Sequence, residues 1–345
     1  MPVSDAAARL HDRALVIDTH NDSIVAHVRR GNQSFADPSK KGPGHEGVIS
    51  WLRGPLDPMR SPAEVQLNFP KMRAGGVDCA FFHVDVSRAW KNHLAYALDG
   101  HGFFLAELAA QRDSVRVVRS SQDVLDAKQQ GRIAAVLAIE NSDACERSLN
   151  VLAMLHQLGV RSMGLTHNLR SDAADGNYED RTQGGLTRFG VAMVQAMNRL
   201  GMIVDISHIS ERGFYDTLET STKPLLASHS CCKALCEHSR SLTDEQIKAM
   251  AHHGGSIGVT FVPEFVHPTE PTPERVVDHI DHIVQLVGPD FAALGSDFDG
   301  GGTVLGDATE LPLITEGLLR RGYREEDIEK ILGLNHLRVI RDTMG

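Results

Sequence analysis

Eight short apolar runs recur along the chain, at Leu15–Ile17, Val77–Val84, Ile133–Ile139, Arg161–Leu165, Met202–Ile206, Pro224–Ala227, Ser256–Phe261 and Phe291–Leu294. Each is brief and nearly continuous in its hydrophobicity, which is how a strand buried on both faces reads. Between them lie stretches with helical period, such as Leu149–Leu158 and Phe189–Leu200, each followed by a glycine suited to a helix C-cap. Eight strands alternating with helices predict a (β/α)₈ TIM barrel, an α/β fold, with insertions in some loops. The expectation is one elaborated domain over residues 1–345. The longest irregular piece, about 26–61, is rich in Gly, Pro and Lys and carries His45 and Trp51. A connection of that length predicts a functional loop over the barrel mouth.

The residues that follow the runs turn a fold into chemistry. The first run leads into His20 and Asp22, the third into Glu140, the fourth into His167, the fifth into His208, the sixth into His229 and the eighth into Asp297. Residues so far apart in sequence meet only through the fold, and a closed barrel gathers its strand ends around one opening. Imidazoles and carboxylates together in one mouth suit two divalent cations of the zinc type, with positions left for water and substrate. Taken singly, each residue has an ordinary explanation. The chain holds 18 histidines, and His11, His27, His45, His83 and His156 read as ordinary surface or loop residues. Asn and Asp are favoured in turns for backbone reasons, which alone can account for His20-Asn-Asp22 or for Gly295-Ser-Asp-Phe-Asp-Gly300. The joint placement after six of the eight runs points to a metal site.

Composition narrows the class. At 345 residues and 41% hydrophobic content the chain can bury a large core. A net charge of −10 without a Lys/Arg stripe argues against nucleic acid. Cys79, Cys145, Cys231, Cys232 and Cys236 form no even framework and read as reduced thiols. No basic leader followed by an apolar segment and no run of membrane-spanning length is apparent. The expectation is a soluble, cytoplasmic protein with no membrane association.

Several segments match a known family in order and spacing: Val16-Ile-Asp-Thr-His-Asn-Asp22, Asn68–Val77, Leu158–Asn168, Gly185–Gly190, Val204-Asp-Ile-Ser-His-Ile-Ser210, Ser228-His-Ser230, Gly295–Gly300 and Leu334–Val339. Over nearly its whole length the chain resembles the membrane dipeptidase (renal dipeptidase) family, the M19 metallopeptidases of the amidohydrolase superfamily. The resemblance implies a binuclear zinc dipeptidase on a metallo-dependent hydrolase barrel, cleaving small L-Xaa-L-Xaa or L-Xaa-D-Xaa dipeptides with a metal-activated hydroxide. It implies His20 and Asp22 as ligands of one Zn²⁺, His208 and His229 as ligands of the other, and Glu140 as the bridge, other divalent metals being options. Many superfamily relatives bridge with a carboxylated Lys after strand four, and the fourth run here offers none. By the same resemblance Asp297 handles the proton, His167 stabilises the oxyanion and binds substrate, and Arg240 clamps the substrate carboxylate. Asp299 reads as a turn residue. Family precedent also allows a homodimer.

Two departures bear on specificity. Where many relatives carry a Gln-Phe-Trp-Ser type sequence after strand two, this chain has Phe81-Phe-His-Val-Asp85, and Glu140 is followed by Asn141 rather than Gly. Other readings are a lactonase or phosphoesterase with the same donors, or a metal-binding protein without catalysis. A free-carboxylate clamp at Arg240 separates the dipeptidase from the first of these.

Overall fold

Each of the eight apolar runs contributes a strand, and all the strands are parallel. The computed structural model describes residues 2–43, 65–89 and 92–345. The strands are β1 (Ile17–Asn21), β2 (Cys79–Asp85), β3 (Val115–Val117), β4 (Ile133–Glu140), β5 (Val160–Gly164), β6 (Ile203–Asp205), β7 (Leu226–Ser230), β8 (Ser256–Val259) and β9 (Ala292–Leu294). Their order runs β2-β1-β9-β8-β7-β6-β5-β4, and β2 pairs back onto β4 to close an eight-stranded barrel with helices outside. The remaining strand, β3, was not anticipated. It lies along the first half of β4, Val115 opposite Ile133 and Val117 opposite Ala135. Among the described residues no helix is long and apolar enough to cross a membrane.

Alternation fixes which side chains face inward. Cys79 and Phe81 of β2 pack with Ala134, Val136 and Ala138 of β4 in an inner cluster, whereas Ala80, Phe82, Val84, Ala135, Leu137 and Ile139 join the core shared with the outer helices. The same period of two carries His83, Asp85 and Glu140 to the inner face, with Asp85 directly opposite Glu140 in register. Strand β1 begins at Ile17 and runs on through the polar Asp18–Asn21, two residues later than the apolar run suggested. Polar residues extend the strand because their backbone stays in the parallel ladder while their side chains find partners across the barrel, Asp18 with Ser296, Thr19 with the carbonyls of Ser228 and Leu294 and Asn21 with the Phe81 carbonyl.

Local signals set the helices. Ser148 caps the helix Leu149–Leu158, which ends at Gly159 in the left-handed region; Thr187 caps Arg188–Leu200, which ends at Gly201 likewise. The last helix, Asn335–Met344, is pinned to the barrel. Asn335 Nδ2 donates to the carbonyls of Pro289 and Ala292 at 2.7 and 2.8 Å, and His336 bridges Leu294 O and Ser256 Oγ, both at 2.9 Å. Of the insertion expected at 26–61, residues 26–29 belong to a helix (Ser23–Arg29), while residues 44–61, with His45 and Trp51, lie outside the described residues.

Gly295 follows β9 where a side chain has no room, since a Cβ would sit inside the van der Waals radius of the Ser228 carbonyl oxygen. Gly295→Ala is therefore expected to destabilise by about 1–3 kcal/mol, while Gly102→Ala, in a helix with open space around it, should stabilise by about 0.5–1 kcal/mol; equilibrium unfolding checks both. Burial lowers His27 and His336 to about 4. The unfolded chain, with histidines near 6.5, takes up protons first on acidification, so their stabilising contribution is intact above pH 6.5 and lost between 6.5 and 4. Unfolding measured across that range should show the decline, with a shallower slope in His336→Gln.

Candidate metal centre

The barrel mouth collects the residues singled out from the sequence. His20 lies within β1 and Asp22 just beyond it, Glu140 ends β4, His167 follows β5, His208 follows β6, His229 lies in β7 and Asp297 follows β9. All but His167 are buried. Glu140 stands at the centre with its two oxygens turned to different neighbours. Its Oε2 is 3.8 Å from His20 Nε2, while its Oε1 is 2.9 Å from His208 Nε2 and 3.8 Å from His229 Nε2. The His208 and His229 Nε2 atoms face each other at 2.8 Å, and Asp297 Oδ1 lies 3.9 Å from His20 Nε2. Potential ligand atoms of His20, Asp22 and Glu140, of His20, His229 and Asp297, and of Glu140, His167 and His208 lie within 4.8 Å of one another in each group.

The turns that present these groups are unusual. Asn141, His208, Asp297 and Asp299 all adopt positive φ, at 78°, 68°, 60° and 64°. Asn and Asp tolerate this region better than most residues; His208 does not share that advantage, and such strain concentrates at functional sites. It is held by specific bonds. Asn177 N donates to His208 O at 2.7 Å, and Asp297 O accepts from the amides of Gly300, Gly301 and Gly302. Asn168 Oδ1 lies 2.8 Å from His208 Nδ1 and, as an acceptor, keeps the proton there and the lone pair on Nε2. Asp299 accepts from Ser23 Oγ at 2.6 Å and Gln66 N at 2.8 Å, which makes it an anchor for the turn.

Electrostatics in the mouth is dominated by burial of like charges. Burial, then repulsion from Asp85, Asp22 and Asp297, pushes the Glu140 carboxyl well up; burial and Asp22 do the same for Asp297, opposed by Arg240 and Arg88. Asp22 is pushed up to about 7 by burial, with Arg88 the main opposing influence. Burial holds His20, His208 and His229 well below the ordinary histidine range, so they are neutral with lone pairs available.

His83 and Asp85, noted in the sequence only as a departure bearing on specificity, and Arg88, which drew no notice, line the same space. His83, grouped with the ordinary histidines, stacks on His20 with ring centroids 3.9 Å apart. Asp85 pairs with Arg88 at 2.7 Å, and Arg88 reaches Asp22 at 3.4 Å. For His83 and Asp85 the signal was the alternation Phe81-x-His83-x-Asp85, which places both on the inner face. His11 and His27, expected at the surface or in loops, are instead buried in helices and play structural parts, the first bonded to Thr315 and Gly75 O, the second to Gln33 O and Leu67 O. Arg240 is buried over Phe265; its Nη2 donates to His229 O at 3.0 Å while its Nε has no partner. It borders a cavity of about 90 Å³ that His208, Ser230 and Ser241 also line. His167 stacks on His208 with centroids 4.2 Å apart, its pKa lowered by burial.

The donor set fits divalent cations. His20 Nε2, Asp22 Oδ1 and Glu140 Oε1 are buried without a hydrogen-bond partner, a costly state that ion coordination relieves, and neutral imidazole with carboxylate is the zinc-type combination.

Comparison with known proteins agrees with this architecture. Dipeptidase verJ of Clonostachys rogersoniana is 35% identical over 232 residues, which is 66% of this chain and 60% of that relative, so the chain spans about three fifths of the relative's length. The crystal structure of an amidohydrolase from Pseudomonas aeruginosa superposes with a TM-score of 0.78 at 26% identity, covering 98% of this chain and 99% of that one. A metallopeptidase from Rhodobacter sphaeroides, liganded with a phosphinate mimic of the dipeptide L-Ala-D-Ala, gives 0.80 at 24% identity over 96% and 99% of the two chains. The model of the membrane dipeptidases, peptidase family M19, matches residues 4–344, and the chain belongs to that family.

Proposed function

We propose that this protein is a binuclear zinc dipeptidase, a reading carried by the division of Glu140 between two groups of donors. Its Oε2 faces His20 while its Oε1 faces His208 and His229. In this reading His20 and Asp22 hold one cation, His208 and His229 the other, and Glu140 both. Bound there, divalent cations would supply Lewis acidity and lower the pKa of a water toward neutrality.

The chain's own groups do the rest. Asp297, buried beside His20, accepts the proton of the attacking water and passes it to the leaving amine. Burial and Asp22 raise its carboxyl above the usual range, which makes the ionised form a stronger base than an exposed aspartate. His167, neutral by burial, donates an N–H to the oxygen on which negative charge develops. Arg240 offers an unpartnered Nε beside a cavity sized for a small ligand, which supports a clamp for the free carboxylate of a dipeptide. A lactone or phosphotriester has no such carboxylate. The reading keeps the cytoplasmic setting expected above, with the five cysteines as free thiols.

Purified protein should contain about two zinc ions per chain by mass spectrometry and hydrolyse L-Xaa-L-Xaa or L-Xaa-D-Xaa dipeptides in a chelator-sensitive way. Two metals without cleavage of any dipeptide would overturn the substrate assignment, and no metal after zinc reconstitution would overturn the ligand set. Asp297→Asn should keep its metal and lose about 10²–10⁴ in kcat. Arg240→Ala should act chiefly on KM, lowering kcat/KM by about 10- to 150-fold, the equivalent of one charge-assisted contact.

A further inference from the structure

We infer that the Ser228 hydroxyl, oriented by Asp205, is a junction that positions one ligand of each cation at once. The inference rests on the ligand set proposed above and concerns residues with no role in it.

Asp205 ends β6 and is buried beneath the mouth. Its Oδ1 accepts from the amides of Ser207 and Ser228, both at 3.0 Å, and its Oδ2 accepts from Ser228 Oγ at 2.5 Å. Three donors converge on one carboxylate, which only accepts, so the single proton of Ser228 points down to Asp205. The Ser228 oxygen then has only lone pairs to offer. Above it lie His229 Nδ1 at 2.8 Å and His20 Nδ1 at 3.2 Å. Both rings must therefore present Nδ1–H to the serine and a lone pair at Nε2, and the Nε2 atoms are the ones that face Glu140. A second-layer hydrogen bond that fixes tautomer and ring orientation is a common support of metal-bound histidine. Here a single acceptor serves two histidines assigned to different cations.

The neighbourhood supports this assignment over a third cation site. Ligand atoms of His20, His83 and Asp205 lie within 4.8 Å of one another, but both Asp205 oxygens are already engaged by Ser207 and Ser228. Ser207 Oγ also lies 3.2 Å from Ser228 Oγ and accepts from His229 N at 3.1 Å. It competes for a Ser228 lone pair, so Ser207→Ala leaves both imidazole contacts available and serves as the matched control.

The test is stepwise zinc titration of the metal-free protein against a chromophoric chelator, in wild type, Ser228→Ala, Asp205→Asn and Ser207→Ala, with unfolding midpoints of the metal-free proteins measured alongside. Wild type should take two zinc ions; if it does not, the ligand assignment falls and this inference with it. Ser228→Ala and Asp205→Asn should weaken both binding steps by about 10- to 100-fold, while Ser207→Ala leaves them near wild type. With wild type binding two, unchanged affinities in Ser228→Ala, or weakening confined to one step, would overturn the junction alone. A wild-type readout independent of any variant's folding is the ring ¹⁵N spectrum of the zinc-loaded protein. His20 and His229 should both be protonated at Nδ1, and protonation of either at Nε2 would contradict the proposal.

Discussion

Negative charge crowded into a buried space governs this molecule. Asp22, Asp85, Glu140 and Asp297 are all buried in one barrel mouth, where each ionised carboxylate loses its hydration and repels the others. Two arginines meet part of that demand. Arg88 pairs with Asp85 and Asp22, and Asp85, although burial drives it up, is held low by His167, Arg88 and Ser87. Arg240 offsets Asp297 from the other side. The charge left over centres on Glu140, and neutral imidazoles with inward lone pairs surround it. A site so built is costly as an empty collection of side chains and favourable as a cage for divalent cations, which links the electrostatics to the chemistry directly.

The barrel makes that crowding sustainable. Strand pairing runs all the way around the closed sheet, and at the mouth the strained backbone falls in the turns just beyond the strands, at Asn141, His208, Asp297 and Asp299. Rigid strands on one side and strained turns on the other hold ligand atoms against their mutual repulsion, a burden that flexible loops alone would not bear. The helix Asn335–Met344 contributes from below, through Asn335 and His336, by pinning β8 and β9 beneath the turn that carries Asp297.

The fold was legible because parallel strands covered on both faces leave continuous apolar runs, and each of the eight runs overlaps a barrel strand. Strand β3 escaped because Val115-Arg-Val is only three residues long with a charge at its centre. The donors were legible because each sits at the polar end of an apolar run. His83 was misplaced because it was weighed as one of 18 histidines rather than by its register with Phe81 and Asp85. The contact of Arg88 with Asp22 was not legible, since the two lie 66 residues apart, one after β1 and the other after β2. The same holds for Ser228: it was visible as part of a motif, but its partners Asp205 and His20 meet it only across the closed sheet. Sequence reveals residues that local pattern places, while the bonds between strands appear only in three dimensions.

The account stands or falls on where metal binds. Crystals of the zinc-loaded protein, measured on both sides of the zinc absorption edge, would locate it directly by anomalous scattering. The account predicts two peaks, one between His20 and Asp22 and one between His208 and His229, with the Glu140 carboxylate between them. A single peak, or zinc held by other residues, would contradict it.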